Sequence, residues 1–170
     1  MRVLPARKPS AGIIFQEEFV MEKTDGAKER LGPCGLHCGK CFAFRDGEIH
    51  AAAVKLREQL GNFAPYAERF SVQLDPVFEK YGDFAALLDY LASSECGGCR
   101  VEKCKFYKNC RVRACSLEKG VDFCCECPEF PCGHTGLDEN LYRRSVSINE
   151  RIRDIGAEGY YAEVKDQPRY

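Results

Sequence analysis

At 170 residues the chain is long enough for one domain with its own core and short for two. Its 25 basic and 26 acidic residues leave a net charge of −1, which excludes bulk attraction to nucleic acid or to an anionic membrane. No apolar run reaches transmembrane length, and the 12 cysteines are the dominant compositional signal.

Residues 1–32 mix Pro5, Pro9, Gly12 and Gly26 with charges and show weak periodicity, so they read as an amino-terminal extension, a tail or a loosely docked strand. Met21 is a second candidate start within it. No charged-then-apolar leader with a small-residue cleavage site is visible, so a soluble, cytoplasmic protein without a membrane partner is expected. In that reducing compartment, closely spaced thiols serve metal binding or redox chemistry more often than structural disulfides.

Residues 33–170 read as a single cysteine-rich domain. The first cysteine group, Cys34-Gly-Leu-His-Cys38-Gly-Lys-Cys41, has glycines where a tight turn would bring three sulfurs together. A helical block over about 46–94 follows. Ile49, Ala53, Leu56, Leu60 and Phe63 recur at helical spacing, with Gly61 as the stop. Asp75-Pro76 predicts a capped short helix carrying Phe78 and Tyr81, and Gly82-Asp83 opens another with Phe84, Leu87, Leu88 and Leu91 on one face. Residues 96–132 hold nine more cysteines and little periodicity, so metal or cross-links must hold them. Over about 139–165, Leu141, Ile148, Ile152 and Ile155 predict a helix ending at Gly156, followed by a last short helix with Tyr160, Tyr161 and Val164. The fold class expected is mainly α: a small helical domain with an irregular, metal-clamped cysteine region.

Zinc takes four tetrahedral ligands, and Cys-x-x-Cys pairs suit it because one turn presents both sulfurs to one ion. Three such pairs occur: Cys38/Cys41, Cys96/Cys99 and Cys124/Cys127. Cys34, Cys104, Cys110, Cys115 and Cys132 lie close by in sequence and complete the candidate ligand set. Cys125 adjoins Cys124, and neighbouring side chains reach one ion only with strain, so Cys125 is left as the spare. Eleven cysteines complete two four-sulfur sites, or three if a histidine joins, which gives two or three zinc ions. His37 and His134 are the candidate histidines, with His50 a helix residue. Sequence order leaves the grouping open. The weak preference sets Cys124, Cys127 and Cys132 with Cys110 or Cys115, and Cys34, Cys38 and Cys41 near Cys96 or Cys99.

All-cysteine ligation also suits an iron–sulfur cluster, the main alternative cofactor, which would make the chain a redox protein or enzyme. Cys34-x3-Cys38-x2-Cys41 has the spacing of the cluster motif in radical S-adenosylmethionine enzymes, but the strand–helix alternation of their barrel is missing. A glycine-rich phosphate loop, a His-Glu-x-x-His helix and a Gly-x-Ser-x-Gly elbow are absent too, so no catalytic residue emerges and the balance is against an enzyme. Between Cys96 and Lys119 the local charge is +5, with Phe106 and Tyr107 interleaved. That pattern fits a nucleic-acid patch, the third reading. The preferred account is that these cations offset anionic thiolate centres.

Taken in order, CGLHCGKC, CGGCR, the C-x4-C stretch at Cys110 and Cys115, and CCECPEFPC resemble the cysteine-rich prokaryotic family catalogued as domain of unknown function 3795. The resemblance runs from about Gly32 to the closing helices. It implies zinc binding without an assigned activity, through Cys34, Cys38, Cys41, Cys96, Cys99, Cys110, Cys115, Cys124, Cys127 and Cys132. The reading reached is a metal-stabilised binding or adaptor module with an unidentified protein partner.

Overall fold

A computed structural model describes residues 26–170, so most of the amino-terminal extension and Met21 lie outside the described residues. The fold is mainly helical. The α-helices are α1 (Ala27–Arg30), α2 (Glu48–Leu60), α3 (Ala64–Gln73), α4 (Tyr81–Ala92), α5 (Val112–Lys119) and α6 (Glu139–Val164). Short 3-10 turns lie at Cys38–Lys40, Pro76–Lys80 and Cys124–Glu126. Among the described residues the only β pairing is two isolated bridges, Leu31 with His37 and Phe44 with Cys96. No described helix is long and apolar enough to cross a membrane.

Much of the helical block follows its pattern, but of the four residues read on one face of its last helix, Leu88 and Leu91 pack inward while Phe84 and Leu87 are exposed. Ala53 on α2 is buried against Leu88 and Ala92 of α4, with Val54, Leu60 and Leu91 closing around them. Gly61 ends α2 at φ +49°, where its N–H caps the Arg57 carbonyl. The Asp75 carboxylate accepts the Val77 N–H at 2.8 Å and starts the 3-10 turn Pro76–Lys80. Helix α3 is absent from the sequence reading because its stripe is aromatic rather than aliphatic. Phe63, Phe70, Phe78 and Tyr81 stack with centroids 5.2 to 6.3 Å apart and seat α3 on the turn and on α4.

The second core gathers around α6. Asp138 caps it, its carboxylate accepting the N–H groups of Asn140 and Leu141. Ile152 packs with Ala27, Leu31 and Phe123, so residues 26–32, at the end of the stretch read as an extension, supply two of the most deeply buried side chains. Gly156 at φ +78° breaks the helix where the stripe was expected to stop. Beyond it, Tyr160 and Tyr161 pack back on the same core, and Arg151 pairs with Glu163 across the break.

The two halves join where the chain leaves and re-enters the cysteine region. The Arg45 N–H bonds the Cys96 carbonyl and the Cys96 N–H bonds the Ala43 carbonyl, both at 3.1 Å. The 50 residues between Arg45 and Cys96 are thereby closed to one point.

Candidate metal centre

Glycine shapes the first two cysteine knuckles. At Gly35, φ is +82° and a Cβ would lie 2.3 Å from Cγ2 of Ile148, so only glycine lets the first knuckle turn beneath α6. The 3-10 turn Cys38–Lys40 follows, with the Cys41 N–H on the Cys38 carbonyl at 2.8 Å and the Lys40 N–H on Nδ1 of His37. At Gly98, φ is +93°, and the turn Cys96–Cys99 presses onto the Phe44 ring.

Seven cysteines line one cavity of about 50 Å³: Cys34, Cys38, Cys41, Cys96, Cys99, Cys104 and Cys110. A Cβ on Gly32 would come within 3.5 Å of Cys34 Sγ, Cys38 Sγ and Cys99 Cβ together, so three of these side chains already converge on one spot. Burial, reinforced by Cys38, Cys110 and Cys124, pushes the Cys34 thiol up to about 12. The Cys99 thiol donates to Cys38 sulfur, which draws the Cys38 pKa well down and raises that of Cys99. Two further donors point at sulfur: the Tyr107 N–H at 3.4 Å from Cys104 Sγ, and the Tyr170 hydroxyl at 3.9 Å from Cys41 Sγ.

Four cysteines line a second cavity of about 30 Å³: Cys115 from α5, Cys124 at the start of the 3-10 turn Cys124–Glu126, Cys127 just after it, and Cys132. Desolvation raises Cys124 to about 12, and Cys132, Cys115 and Cys127 all add to the rise. Cys115 is raised as well, again by desolvation first and then by Cys132 and Cys127. The two cavities adjoin, since Cys34, Cys110, Cys124 and Val112 pack in one cluster and the Cys124 N–H bonds the Pro33 carbonyl at 3.0 Å.

Cys125 turns the other way. It packs against the Ala27, Leu31, Phe123 and Ile152 core and gives its N–H to Asn149 Oδ1. Of the histidines, His134 lines the second cavity, His50 reaches the Leu91 carbonyl, and His37 faces the Tyr161 ring with Nε2 buried and without a hydrogen-bond partner. Burial and the charges of Lys40, Arg169 and Arg30 push the His37 pKa down to about 4. The basic segment is partly committed to structure. Arg100 bonds the Leu31 and Asp122 carbonyls over the Phe123 ring, Arg113 reaches the Arg100 and Val101 carbonyls, and Lys105 and Lys119 pair with Glu102 and Glu129. Lys103, Lys108 and Arg111 line an open polar groove.

Among the described residues no three His, Cys, Asp or Glu side chains converge tightly enough to hold an ion in this structure, and the cysteines form no disulfide. The chemistry of the donor sets nevertheless fits a soft divalent cation. Each set is all sulfur, each cavity has room for an ion, and thiols raised by burial and mutual repulsion are the groups a cation relieves. Sequence reasoning missed α5, which carries Cys115, and the pair Ser145 and Asn149 that ties both knuckles to α6. The signal for the pair was two polar residues at i, i+4 on the apolar stripe of α6.

A backbone lock holds Cys110 beside the second knuckle region. The Arg111 N–H bonds the Thr135 carbonyl at 2.8 Å, and Gly136, at φ +67°, passes so close that a Cβ would lie 1.9 Å from the Asn109 carbonyl oxygen. Gly136→Ala is therefore expected to lose at least about 2 kcal/mol from combined backbone strain and collision. Urea denaturation checks this, and an unshifted midpoint would refute it.

Residues 30–136 match the family described as "Protein of unknown function (DUF3795)", more than half of the chain, and the protein belongs to that family. No curated protein and no solved structure matches the chain.

Proposed function

We propose that the chain is a zinc-binding module whose metal holds the cysteine region in shape and whose work is to bind a protein partner. The observation that carries the reading is the partition of eleven cysteines, four and seven, around two adjoining cavities, with the twelfth turned into a separate core. Zinc bound there would supply structural cross-links, since an all-sulfur set is closed to substrate. Arg100 and Arg169, both facing Cys38, and Lys119, facing Cys115, are placed to offset thiolate charge.

The partner half of the reading is supported by the helical block. Val72, Leu74 and Val77 are exposed around its tip, and Phe84, Leu87 and Tyr90 make an exposed stripe on α4. A stripe of this kind on a small domain is a common form of interaction surface.

Elemental analysis of protein purified without oxygen, paired with a visible absorbance spectrum, tests the metal. Zinc above one ion per chain with no visible band is the expected result. Iron with sulfide and a broad visible band would overturn it in favour of an iron–sulfur redox protein.

A further inference from the structure

We propose that the open groove between residues 103–111 and 133–136 binds an acidic segment of a protein partner. The inference goes beyond the reading above, because it gives a partner its chemistry and places it on the cysteine scaffold instead of the helical block.

The basic residues between Cys96 and Lys119 fall into two groups. Arg100 and Arg113 bond backbone carbonyls, and Lys105 and Lys119 pair with Glu102 and Glu129. The rest, Lys103, Lys108 and Arg111, are exposed, line one groove of about 570 Å³, and pair with no carboxylate among the described residues. No Asp or Glu lines that groove. In a chain of net charge −1, cations gathered on one concave surface without a counter-charge form a local positive field, which draws and orients an anionic partner.

The two walls are fixed to each other by the chain itself. The Arg111 N–H bonds the Thr135 carbonyl at 2.8 Å, and Gly136 crosses directly against the Asn109 carbonyl. His134 lines the groove from the second wall. Beside it a Cβ on Gly133 would meet nothing, so bare backbone is open there, and the N–H groups of Gly133 and His134 have no partner among the described residues. A carboxylate entering the groove therefore meets amide donors as well as cations.

Shape selects a peptide over a lone anion or a nucleic acid. The groove continues into a cavity of about 270 Å³ that shares Lys103, Cys110 and Arg111 and adds Arg113. That run offers charged contacts in succession, which suits a segment carrying several carboxylates. Arg111 supplies a planar fork that fits a carboxylate, and the lysines supply point charges. A single nucleic-acid strand is held by ring stacking beside its phosphate contacts, and no aromatic residue lines either depression. Phe106 and Tyr107 line the seven-cysteine cavity instead, with Phe106 packed on Phe42 at 5.1 Å between centroids.

The test is fluorescence anisotropy of a fluorescein-labelled hexaglutamate peptide titrated with the full chain as purified. Saturable binding at low salt is expected, weakening several-fold at physiological salt as the charges are screened. Lys103→Glu, Lys108→Glu and Arg111→Glu together should abolish it, each alanine substitution should weaken it several-fold, and Lys55→Glu on α2 should leave it unchanged. Circular dichroism checks that the variants keep the fold; if the triple variant does not, the alanine variants decide. No saturable binding at low salt, or binding that survives these substitutions, would overturn the proposal. A single-stranded oligonucleotide of equal charge that binds more tightly and displaces the peptide would overturn it as well, in favour of nucleic acid. Metal content measured on the same samples keeps the two readings apart, since the zinc reading fails on the metal and the groove fails on the peptide.

Discussion

Stripping the metal under reducing conditions is expected to unfold residues 96–137 while α2, α3 and α4 keep their helical signal. In that segment the regular structure is α5 and one 3-10 turn, and the deeply buried side chains are few: Cys96, Val112, Ser116 and Phe123. So small an apolar store cannot offset the backbone entropy of ordering the segment, at about 1 to 2 kcal/mol per residue. A structural zinc site contributes roughly 10 to 16 kcal/mol of apparent binding energy in zinc-finger peptides, as much as the 5 to 15 kcal/mol or so that stabilises a whole domain. By contrast the helical block has its own apolar cluster around Ala53, Leu88 and Ala92 and an aromatic stack, and contains none of the cysteines. Limited trypsin digestion should therefore cut first at the exposed Lys103, Lys105 and Lys108 after chelation, with only partial loss of far-ultraviolet circular dichroism. Unchanged proteolysis after verified metal removal would show that the segment folds on side-chain packing alone.

Asn149→Ala is expected to cost about 3 kcal/mol, measured by chemical denaturation of the metal-loaded protein. Asn149 is wholly buried, its Oδ1 taking the Cys125 N–H and its Nδ2 giving to the Ser145 carbonyl, each at 3.0 Å. Four residues earlier, the Ser145 hydroxyl donates to the Cys34 carbonyl at 3.1 Å. One turn of α6 thus grips both knuckles by their backbones. Removing the amide strands a buried N–H and leaves a void between α6 and the turn Cys124–Glu126, so the loss exceeds that of an ordinary hydrogen bond. A change below about 0.5 kcal/mol, the range of ordinary surface substitutions, would mean that the clamp is redundant.

The helical block was largely legible because its signals are local. Gly61 stops α2, Asp75-Pro76 starts a turn, and Gly156 interrupts α6, each where backbone chemistry alone dictates it. Helix α3 escaped because Phe63 was counted with the preceding helix and the aromatic stripe that starts afresh at Pro65 was not read. The gathering of eleven cysteines apart from Cys125 was likewise legible as a matter of placement, since adjacency to Cys124 already set Cys125 aside. Their partition was legible in part: Cys124, Cys127 and Cys132 were set apart from Cys34, Cys38 and Cys41, while the choice between Cys110 and Cys115 was left open. Cys110 lies with the seven and Cys115 with the four because α5 begins between them and carries Cys115 to the other side of Val112. That division depends on where Gly136 and Thr135 pin the chain, a long-range contact with no local sequence mark. Leu31 and Ala27 were missed for a related reason, as a short helix buried by α6 leaves no periodic trace.

The paired hydrogen bonds between residues 43–45 and Cys96 make the helical block an excursion that begins and ends at one place. Loop closure costs grow only with the logarithm of the intervening length, so the closure is nearly indifferent to what hangs between its ends. The molecule is in this sense a clasp with an exchangeable head. The cysteine scaffold sets the exit and return of the chain, while α2 to α4 can lengthen, shorten or change their exposed face without altering the distances between sulfurs. The helical head and the cysteine scaffold are thereby free to vary independently within one small chain.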